Sequence, residues 1–259
     1  MHKCPVCVEP MQEVFQAQVL QRHTAVYDHC PACGFLRIRK PHWYEEAYSS
    51  AISSTDTGIL VRNVQIARNL AALLPLVAKD GPYLDYAGGY GILTRMMRDR
   101  GFDFYWSDRY CDNLLATGFD YDPQQTGPCQ AATAFEVLEH VEDPVELVQE
   151  VLQAGAETFI FTTELYSGNP PQPGQWWYYA PESGQHISFY RHDTLATLGR
   201  RLNLHFHSRR GMHILSRNPL PKSRINLVLS PLTPVFARLV RRPGLSWSDH
   251  QLNVARLQS

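Results

Sequence analysis

Short apolar runs alternate with stretches of helical periodicity between residues 59 and 216. Apolar side chains recur at helical spacing in residues 59–80, 92–100, 144–154 and 193–202. The runs typical of strands are residues 83–87, 104–106, 131–135, 158–162, 204–208 and 212–216. Because strands that alternate with helices favour parallel pairing, this pattern predicts an α/β fold with a doubly wound, mostly parallel sheet.

The two ends of the chain have a different pattern. Residues 14–26 alternate as short strands do, and residues 217–245 mix apolar positions with Lys and Arg. We therefore predict three parts: a small N-terminal module over residues 1–45, the α/β domain over residues 46–218, and a basic, partly amphipathic extension over residues 219–259. The long Gly- and Pro-containing stretch 167–185 is predicted to be a loop inside the α/β domain.

Four of the six cysteines form two Cys-x-x-Cys pairs near the N-terminus. The pairs are Cys4 with Cys7 and Cys30 with Cys33. Four thiolates complete the tetrahedral shell of Zn²⁺, and such a closed shell is structural rather than catalytic. We therefore predict a structural zinc ion in a zinc-ribbon-like module; four free, unrelated cysteines are the alternative.

A glycine-rich turn follows the first strand of the α/β domain. The segment is Leu84-Asp85-Tyr86-Ala87-Gly88-Gly89-Tyr90-Gly91, and Asp108 ends the next strand. Glycines let a ligand approach the backbone, and an acid at the second strand end can accept hydrogen bonds from ribose hydroxyls. The glycine-rich turn and Asp108 together predict a site for a nucleoside-containing cofactor. The alternative is a tight turn that is needed only for packing.

The details of this turn favour one cofactor over another. A dinucleotide site has a third glycine where this chain has Thr94, and the carboxylate of Asp85 would repel a pyrophosphate. An acid at that place suits a ligand with a cationic group, such as the amino group or sulfonium of S-adenosylmethionine.

Two segments resemble motifs of the class I S-adenosylmethionine-dependent methyltransferases. Leu84-Asp85-x-x-Gly88-Gly89-x-Gly91 resembles their first motif, and the segment 135–144 (FEVLEHVEDP) is similar to the one that follows their fourth strand. The resemblance extends over residues 60–215, with one departure: the family usually has glycine in place of Ala87. The fold we expect is a Rossmann-like, seven-stranded, mostly parallel sheet with helices on both faces, beside the zinc module.

The resemblance also implies a role for each matching residue. The methionine part would be held by Asp85, Ala87, Gly88, Gly89 and Gly91, the ribose by Asp108, and the adenine by Arg109 and Tyr110, while Phe135 and Glu136 would line the floor near the methyl group. The alternative for Glu136, Glu139 and His140 is that they cap and orient the following helix.

The segment 176–190 follows the fifth apolar run and is rich in aromatic residues. It resembles a Gly-x-His-x-x-x-Phe/Tyr stretch of small-molecule methyltransferases with zinc-binding N-terminal regions, some of which act on sugars. His186 is the candidate general base, because an imidazole titrates near neutral pH. Glu182 would orient His186 or bind a polar substrate, and a purely structural histidine is the alternative.

Charge and hydropathy limit the partners. The net charge of −1 gives no electrostatic reason to expect nucleic acid. The C-terminal extension is basic and amphipathic, so it is expected to dock on its own domain or form a homodimer contact; binding to an anionic membrane surface is less favoured. Without a long apolar run or an N-terminal signal pattern, the protein is expected to be cytoplasmic.

The sequence thus predicts methyl transfer from S-adenosylmethionine to a small-molecule acceptor, a sugar being one candidate. One alternative is a nucleotide-dependent oxidoreductase, which lacks its third glycine. The other is a catalytically degenerate methyltransferase-like binding protein, a hypothesis that Ala87 favours.

Overall fold

A computed structural model describes residues 2–48, 55–78 and 80–258. The strands are β1 (Gln12–Val19), β2 (His23–His29), β3 (Leu36–Ile38), β4 (Tyr83–Tyr86), β5 (Phe104–Ser107), β6 (Ala131–Phe135), β7 (Thr158–Thr162), β8 (Ser188–Phe189), β9 (His205–Arg209) and β10 (Met212–Ser216). The helices are α1 (Tyr44–Ala47), α2 (Ile59–Val77), α3 (Ile92–Arg98), α4 (Pro123–Thr126), α5 (Pro144–Gln153), α6 (His192–Arg201), α7 (Lys222–Val228), α8 (Thr233–Leu239) and α9 (Ser246–Gln258). Short 3-10 helices span Leu138–His140 and Trp177–Tyr179.

The chain divides into two compact units, each built from several segments. The first unit comprises Met1–Asp56, Phe135–Glu150 and Phe161–Asn218. The second comprises Thr57–Ala134, Val151–Ile160 and Pro219–Ser259.

The larger of the two sheets has the strand order β5-β4-β6-β7-β10-β9. Strand β4 pairs in parallel with both β5 and β6, whereas β9 and β10 are antiparallel. Its six strands correspond to the six strand-like runs of the sequence. The predicted α/β class with a mostly parallel sheet is therefore confirmed.

The expected seventh strand is not found in the part of the chain that the structure describes. Beside β5, Asp120 makes a single parallel bridge to Trp106. The Trp106 N–H donates to the Phe119 carbonyl at 2.8 Å, and the Tyr121 N–H donates to the Trp106 carbonyl at 2.7 Å. Gly118, in the left-handed region at φ +87°, precedes this segment, and α4 begins at Pro123, so it is too short to become a strand.

Burial explains why the regular elements form where they do. The interior positions of β6 and β7 are fully buried, as expected for central strands covered on both faces. Helix α2 buries Leu70, Leu73 and Leu74 on one face. Pro75 lies inside α2 rather than at its end, and the helix continues to Val77.

The smaller sheet has the order β1-β2-β3-β8 and belongs to the first unit. Its antiparallel pairing of β3 with β8 joins Leu36 to Phe189. The adjoining core is strongly aromatic and includes Tyr27, Trp43 and Tyr178. Strand β8 was not predicted, because two residues carry too little periodicity, yet it fixes the segment that contains His186.

The C-terminal extension folds against the second unit, to which it belongs. Asp249 of α9 accepts hydrogen bonds from the guanidinium of Arg98 at 2.7 and 2.9 Å and from that of Arg95 at 2.8 Å. The Leu245 N–H donates to the Arg98 carbonyl at 3.0 Å. The expected docking on its own domain is thereby confirmed, and no described helix is both long and apolar enough to span a membrane.

Candidate functional site

The turn between β4 and α3 contains three residues in the left-handed region of backbone conformation. They are Ala87 at φ 53°, Gly89 at φ 55° and Gly91 at φ 82°. The Gly91 N–H donates to the Gly88 carbonyl at 3.0 Å and closes the turn. Ala87 therefore takes the conformation that glycine adopts without strain, which gives a physical reason for a glycine at this position.

The glycines of the turn serve two purposes. A Cβ atom on Gly88 would lie 2.8 Å from Trp106 and 2.9 Å from the Asp85 carboxylate, and one on Gly91 would lie 2.8 Å from Asn113. These two glycines are therefore required for packing. A Cβ atom on Gly89 would have no heavy atom within 4 Å, so this part of the backbone is open to a ligand.

Asp108 follows β5 and binds backbone amides around the turn. Its Oδ1 accepts hydrogen bonds from the N–H groups of Tyr110 at 2.7 Å and Cys111 at 3.0 Å, and its Oδ2 accepts from the Gly89 N–H at 2.9 Å. A carboxylate has about four lone-pair positions, so the contacts with the described residues leave a position on Oδ2 for a further hydrogen bond.

Asp85 is buried beneath the turn, with 2% of its surface exposed. Its carboxylate accepts hydrogen bonds from the hydroxyls of Thr94 at 2.9 Å and Thr133 at 3.2 Å. Burial raises the pKa of Asp85 to about 6, although the two hydroxyls act in the opposite direction. A cationic ligand group next to this carboxylate would stabilise its charged form.

The remaining residues near the turn differ in exposure. Arg109 and Tyr110 are exposed, with 72% of Tyr110 accessible. Trp106 was not singled out from the sequence. Its Nε1–H donates to the Gly89 carbonyl at 2.8 Å, and it therefore helps to fix the open part of the turn.

Phe135 and Glu136 lie in the first unit, where β6 ends. Glu136 has a left-handed backbone at φ 56°, and its Oε1 accepts a hydrogen bond from the Thr162 hydroxyl at 2.6 Å. Left-handed backbone at a residue other than glycine is often found at functional sites. Asp143 caps α5 by accepting from the Val145 N–H at 2.8 Å, so that helix is capped without Glu136.

His186 lies two residues before the start of β8. Its Nδ1 lies 2.7 Å from the Tyr178 carbonyl oxygen. Because a carbonyl only accepts, the proton of a neutral His186 ring is on Nδ1, and Nε2 carries the lone pair. The nitrogen that a base or a metal ligand needs is thus set by the fold.

The carboxylate beside His186 is Glu139. Glu139, His140 and His186 each have one potential metal-ligating atom, and these three atoms lie within 4.8 Å of one another. Glu139 is fully buried, which raises its pKa, while His186, Tyr178 and Thr163 act in the opposite direction. Burial, together with the charge of His186, lowers the pKa of His140 to about 3.

Glu182 lies on the exposed turn that follows the 3-10 helix Trp177–Tyr179. It does not belong to the group of ligand atoms within 4.8 Å around His186. Its predicted role in orienting His186 or binding substrate stays a prediction.

The four paired cysteines come together in the first unit. The Sγ atoms of Cys4 and Cys33 are 3.6 Å apart, and those of Cys7 and Cys30 are 3.4 Å apart. Sulfur atoms bound tetrahedrally at about 2.3 Å from Zn²⁺ are roughly 3.8 Å apart. The cluster therefore has dimensions close to those of a zinc centre.

The two Cys-x-x-Cys turns of the cluster have the same backbone hydrogen bond and a left-handed residue at the same position. The Val8 N–H donates to the Cys4 carbonyl at 2.9 Å, and the Gly34 N–H donates to the Cys30 carbonyl at 2.8 Å. Val8 at φ 70° and Gly34 at φ 77° both adopt the left-handed region.

An α/β sheet with a glycine turn after one strand and an acid after its neighbour is typical of α/β proteins that bind nucleoside cofactors. Residues 61–208 match the family described as methyltransferase domain. This match covers more than half of the sequence, so the chain belongs to the methyltransferase domain family. The expected methyltransferase is confirmed at the level of the family.

Comparison with solved structures gives methyltransferases of low sequence identity. An O-methyltransferase family 2 protein from Planctomyces limnophilus, in complex with apigenin, is 16% identical, with a TM-score of 0.45 over 68% of this chain and 66% of that chain. A possible histamine N-methyltransferase from Thermotoga maritima is 11% identical, with a TM-score of 0.46 over 68% of this chain and 99% of that one. The chain thus spans just under two thirds of the first protein's length. A search of curated protein sequences found no match.

Proposed function

We propose that the protein transfers a methyl group from S-adenosylmethionine to a small-molecule acceptor. The observation that carries this proposal is the turn of the second unit, where Asp108 binds the amide of Gly89 and keeps an accepting position that no described residue occupies. Gly89 itself is open to a ligand. The membership in the methyltransferase domain family supports the same conclusion.

The residues present fit S-adenosylmethionine as the cofactor. Asp108 would accept a hydrogen bond from a ribose hydroxyl, and the exposed Arg109 and Tyr110 would flank the adenine. The buried carboxylate of Asp85 suits the cationic methionine part. The bound sulfonium would supply an already activated methyl group, so the protein's contribution is to orient the reactants and exclude water.

The two alternative functions are less well supported. Ala87, which favoured a degenerate domain, adopts φ 53° and so keeps the turn that glycine would make. Thr94, which replaces the third glycine of a dinucleotide site, is buried and donates its hydroxyl to Asp85. The site is therefore not arranged for the pyrophosphate of an oxidoreductase cofactor.

The first unit offers groups for the acceptor. His186, with its lone pair on Nε2, is the candidate base that accepts the acceptor's proton. Trp177 is 75% exposed and can stack on a sugar or another ring, whereas Tyr178 and Tyr179 are buried and belong to the core. Phe135 and Glu136 are proposed to line the methyl side of the site.

We also propose that Cys4, Cys7, Cys30 and Cys33 bind a structural Zn²⁺. The spacing of their sulfur atoms supports this ion, and four thiolates leave no position for substrate. The zinc would hold β1 and β2 at the edge of the first unit.

Calorimetric titration with S-adenosylhomocysteine tests the cofactor site. Asp108→Asn keeps an accepting Oδ1 but puts an amide N–H₂ opposite the Gly89 N–H, so we expect affinity to fall about 10- to 100-fold. Asp112→Asn also removes one negative charge, but at an exposed residue close to Asp108 in the sequence, and it should leave the affinity for S-adenosylhomocysteine unchanged. Absence of binding to the folded wild type would contradict the proposal.

Turnover of His186→Ala tests the base. With an acceptor found by screening with labelled S-adenosylmethionine, we expect about a 100-fold loss of turnover and unchanged affinity for S-adenosylhomocysteine. The matched control is His205→Ala, which removes an exposed imidazole from β9 of the same unit. Unchanged turnover in His186→Ala would exclude His186 as the base.

A further inference from the structure

Two residues of the 3-10 helix Leu138–His140 and one residue before β8 bring together a carboxylate and two imidazoles. Ligand atoms of Glu139, His140 and His186 all lie within 4.8 Å of one another. Neither the cofactor site nor the zinc centre accounts for this group, which is contained within the first unit.

The carboxylate of Glu139 is buried without a hydrogen bond from the described residues. Its exposed fraction is 0%, and neither carboxylate oxygen has a hydrogen-bond partner among the described residues. The hydroxyls of Tyr178 and Thr163 are close enough to favour its charged form but do not make hydrogen bonds to it. A buried carboxylate is stable when it is paired or when it binds a metal ion.

Hydrogen bonds hold both imidazoles in place. The Nδ1 atom of His186 lies 2.7 Å from the Tyr178 carbonyl, so Nδ1 is the protonated nitrogen of its neutral ring and Nε2 is left for a ligand. The Nδ1 atom of His140 lies 2.8 Å from the Tyr48 hydroxyl and 3.1 Å from the Gln185 carbonyl, so the position of this ring is fixed as well. Metal-binding histidines usually donate their other ring N–H to such a partner.

The backbone around the three residues is firmly connected. The Ile187 N–H donates to the Glu139 carbonyl at 2.7 Å, the Ser188 hydroxyl donates to the Val141 carbonyl at 2.5 Å, and the Tyr190 hydroxyl donates to the Leu138 carbonyl at 2.7 Å. The Tyr44 hydroxyl also donates to the His140 carbonyl. These bonds fix the segment of His186 against the helix that carries Glu139 and His140, so the ligands are preorganised.

We infer that Glu139, His140 and His186 form a binding site for one divalent transition-metal ion. Two imidazoles and one carboxylate are a ligand set that suits Mn²⁺, Fe²⁺, Co²⁺ or Zn²⁺. Donors bound at about 2.1 Å at octahedral or tetrahedral angles are roughly 3.0–3.4 Å apart, so binding of an ion would bring together three donor atoms that now lie within 4.8 Å of one another.

The site is open, unlike the cysteine cluster. Three protein ligands leave coordination positions free, and both imidazoles are partly exposed. The free positions would take water or an oxygen atom of a small molecule, such as a hydroxyl or a carboxylate. A hydroxyl bound there becomes more acidic, because the metal ion stabilises its deprotonated form.

Titration with Mn²⁺ tests the inference without any methyl transfer. Cysteine thiolates are poor ligands for Mn²⁺, so the cysteine cluster does not interfere. The protein is dialysed against EDTA, then against buffer, and free Mn²⁺ is measured by electron paramagnetic resonance. We expect one bound Mn²⁺ per chain, with pulsed spectra that show coupling to imidazole nitrogen.

Variants identify the ligands. Glu139→Gln and His186→Ala should each weaken Mn²⁺ binding at least about 10- to 100-fold, since each removes a ligand. The matched controls Glu146→Gln and His205→Ala change exposed residues of the same unit and should bind as the wild type does. No binding to the wild type, or equal binding to Glu139→Gln, would overturn the inference.

Titration of the same samples with S-adenosylhomocysteine separates this inference from the proposed function. Cofactor binding without Mn²⁺ binding would refute only the metal site. Mn²⁺ binding without cofactor binding would support the metal site and contradict the proposed function.

Discussion

Replacing Glu139 by glutamine should stabilise the metal-free protein, although most changes of buried residues destabilise. The side chain is fully buried, and its oxygens have no hydrogen-bond partner among the described residues. Glutamine has nearly the same shape but no charge. The substitution therefore removes the cost of burying an unpaired carboxylate.

The size of the effect is bounded by proton uptake. Burial raises the pKa of Glu139 from its ordinary value of 4.5. The folded protein can avoid the buried charge at pH 7 by binding a proton, which costs at most about 3.4 kcal/mol for a group with that ordinary pKa. The amide of glutamine still lacks partners, so we expect a net stabilisation of about 1–3 kcal/mol.

The sign of the pH dependence follows from the same shift. An acid whose folded pKa is raised destabilises the fold above its unfolded pKa, and the penalty grows until the pH reaches the folded pKa. The advantage of Glu139→Gln should therefore be smaller at pH 5 than at pH 7.5. Stability of the wild type should fall relative to the variant across this range.

Urea denaturation in the presence of EDTA measures the difference. Any effect of EDTA on the cysteine cluster is the same in both proteins, so it cancels in the difference between their free energies of unfolding. Glu146→Gln is the control and should stay within about 0.5 kcal/mol of the wild type. A variant that is less stable than the wild type at pH 7.5 would refute the reasoning, because it would mean that the carboxylate makes a stabilising contact.

Three further changes test other parts of the molecule. Ala87→Gly should raise the free energy of unfolding, measured by urea denaturation, by roughly 0.5–1 kcal/mol, because the strain of alanine in the left-handed region exceeds the entropic cost of glycine. A loss of stability would contradict the backbone conformation of this turn. Asp249→Ala should lower the free energy of unfolding by about 2–3 kcal/mol, since it leaves the buried Arg98 with weaker partners, and an unchanged urea midpoint would mean that α9 does not stabilise the fold. Cys33→Ser should abolish zinc binding, which elemental analysis measures, and red-shift the tryptophan fluorescence, because Trp43 is buried in the same unit; retained zinc would exclude Cys33 as a ligand.

The strands were predictable where burial is continuous along the sequence. Strand β6 spans Ala131–Phe135 and β7 spans Thr158–Thr162, with the same bounds as the apolar runs. Both are central strands, so every position faces protein and polar residues mark the ends. The helix after β6 was likewise predictable, because Asp143 and Pro144 define its start.

The contacts that shape the cofactor turn were not predictable. Asp85 pairs in register with Thr133, which is far away in the sequence. Only the sheet topology brings the threonine hydroxyl to the carboxylate. Asp108 accepts hydrogen bonds from three backbone amides because of the path that the loop after β5 follows. The sequence pattern does not predict that path.

The cluster around His186 depends even more on long-range packing. The sequence pointed to His186 and to Glu182, which would orient it or bind a polar substrate. The structure also brings Glu139 close to His186, through the backbone bond from the Ile187 N–H to the Glu139 carbonyl. The proximity of Glu139 could not be predicted, because it depends on how the loop packs on an element that is distant in the sequence.

The two proposed roles of His186 exclude each other while a metal ion is bound. A base must present the lone pair of Nε2 to the acceptor, whereas a ligand gives that lone pair to the ion. The Nδ1–H of His186 is directed to the Tyr178 carbonyl, so Nε2 carries the lone pair that either role needs. Titration with Mn²⁺ therefore separates the two roles: an ion that binds the wild type and is lost in His186→Ala would make His186 a ligand, whereas absence of binding would leave its lone pair available to the acceptor's proton.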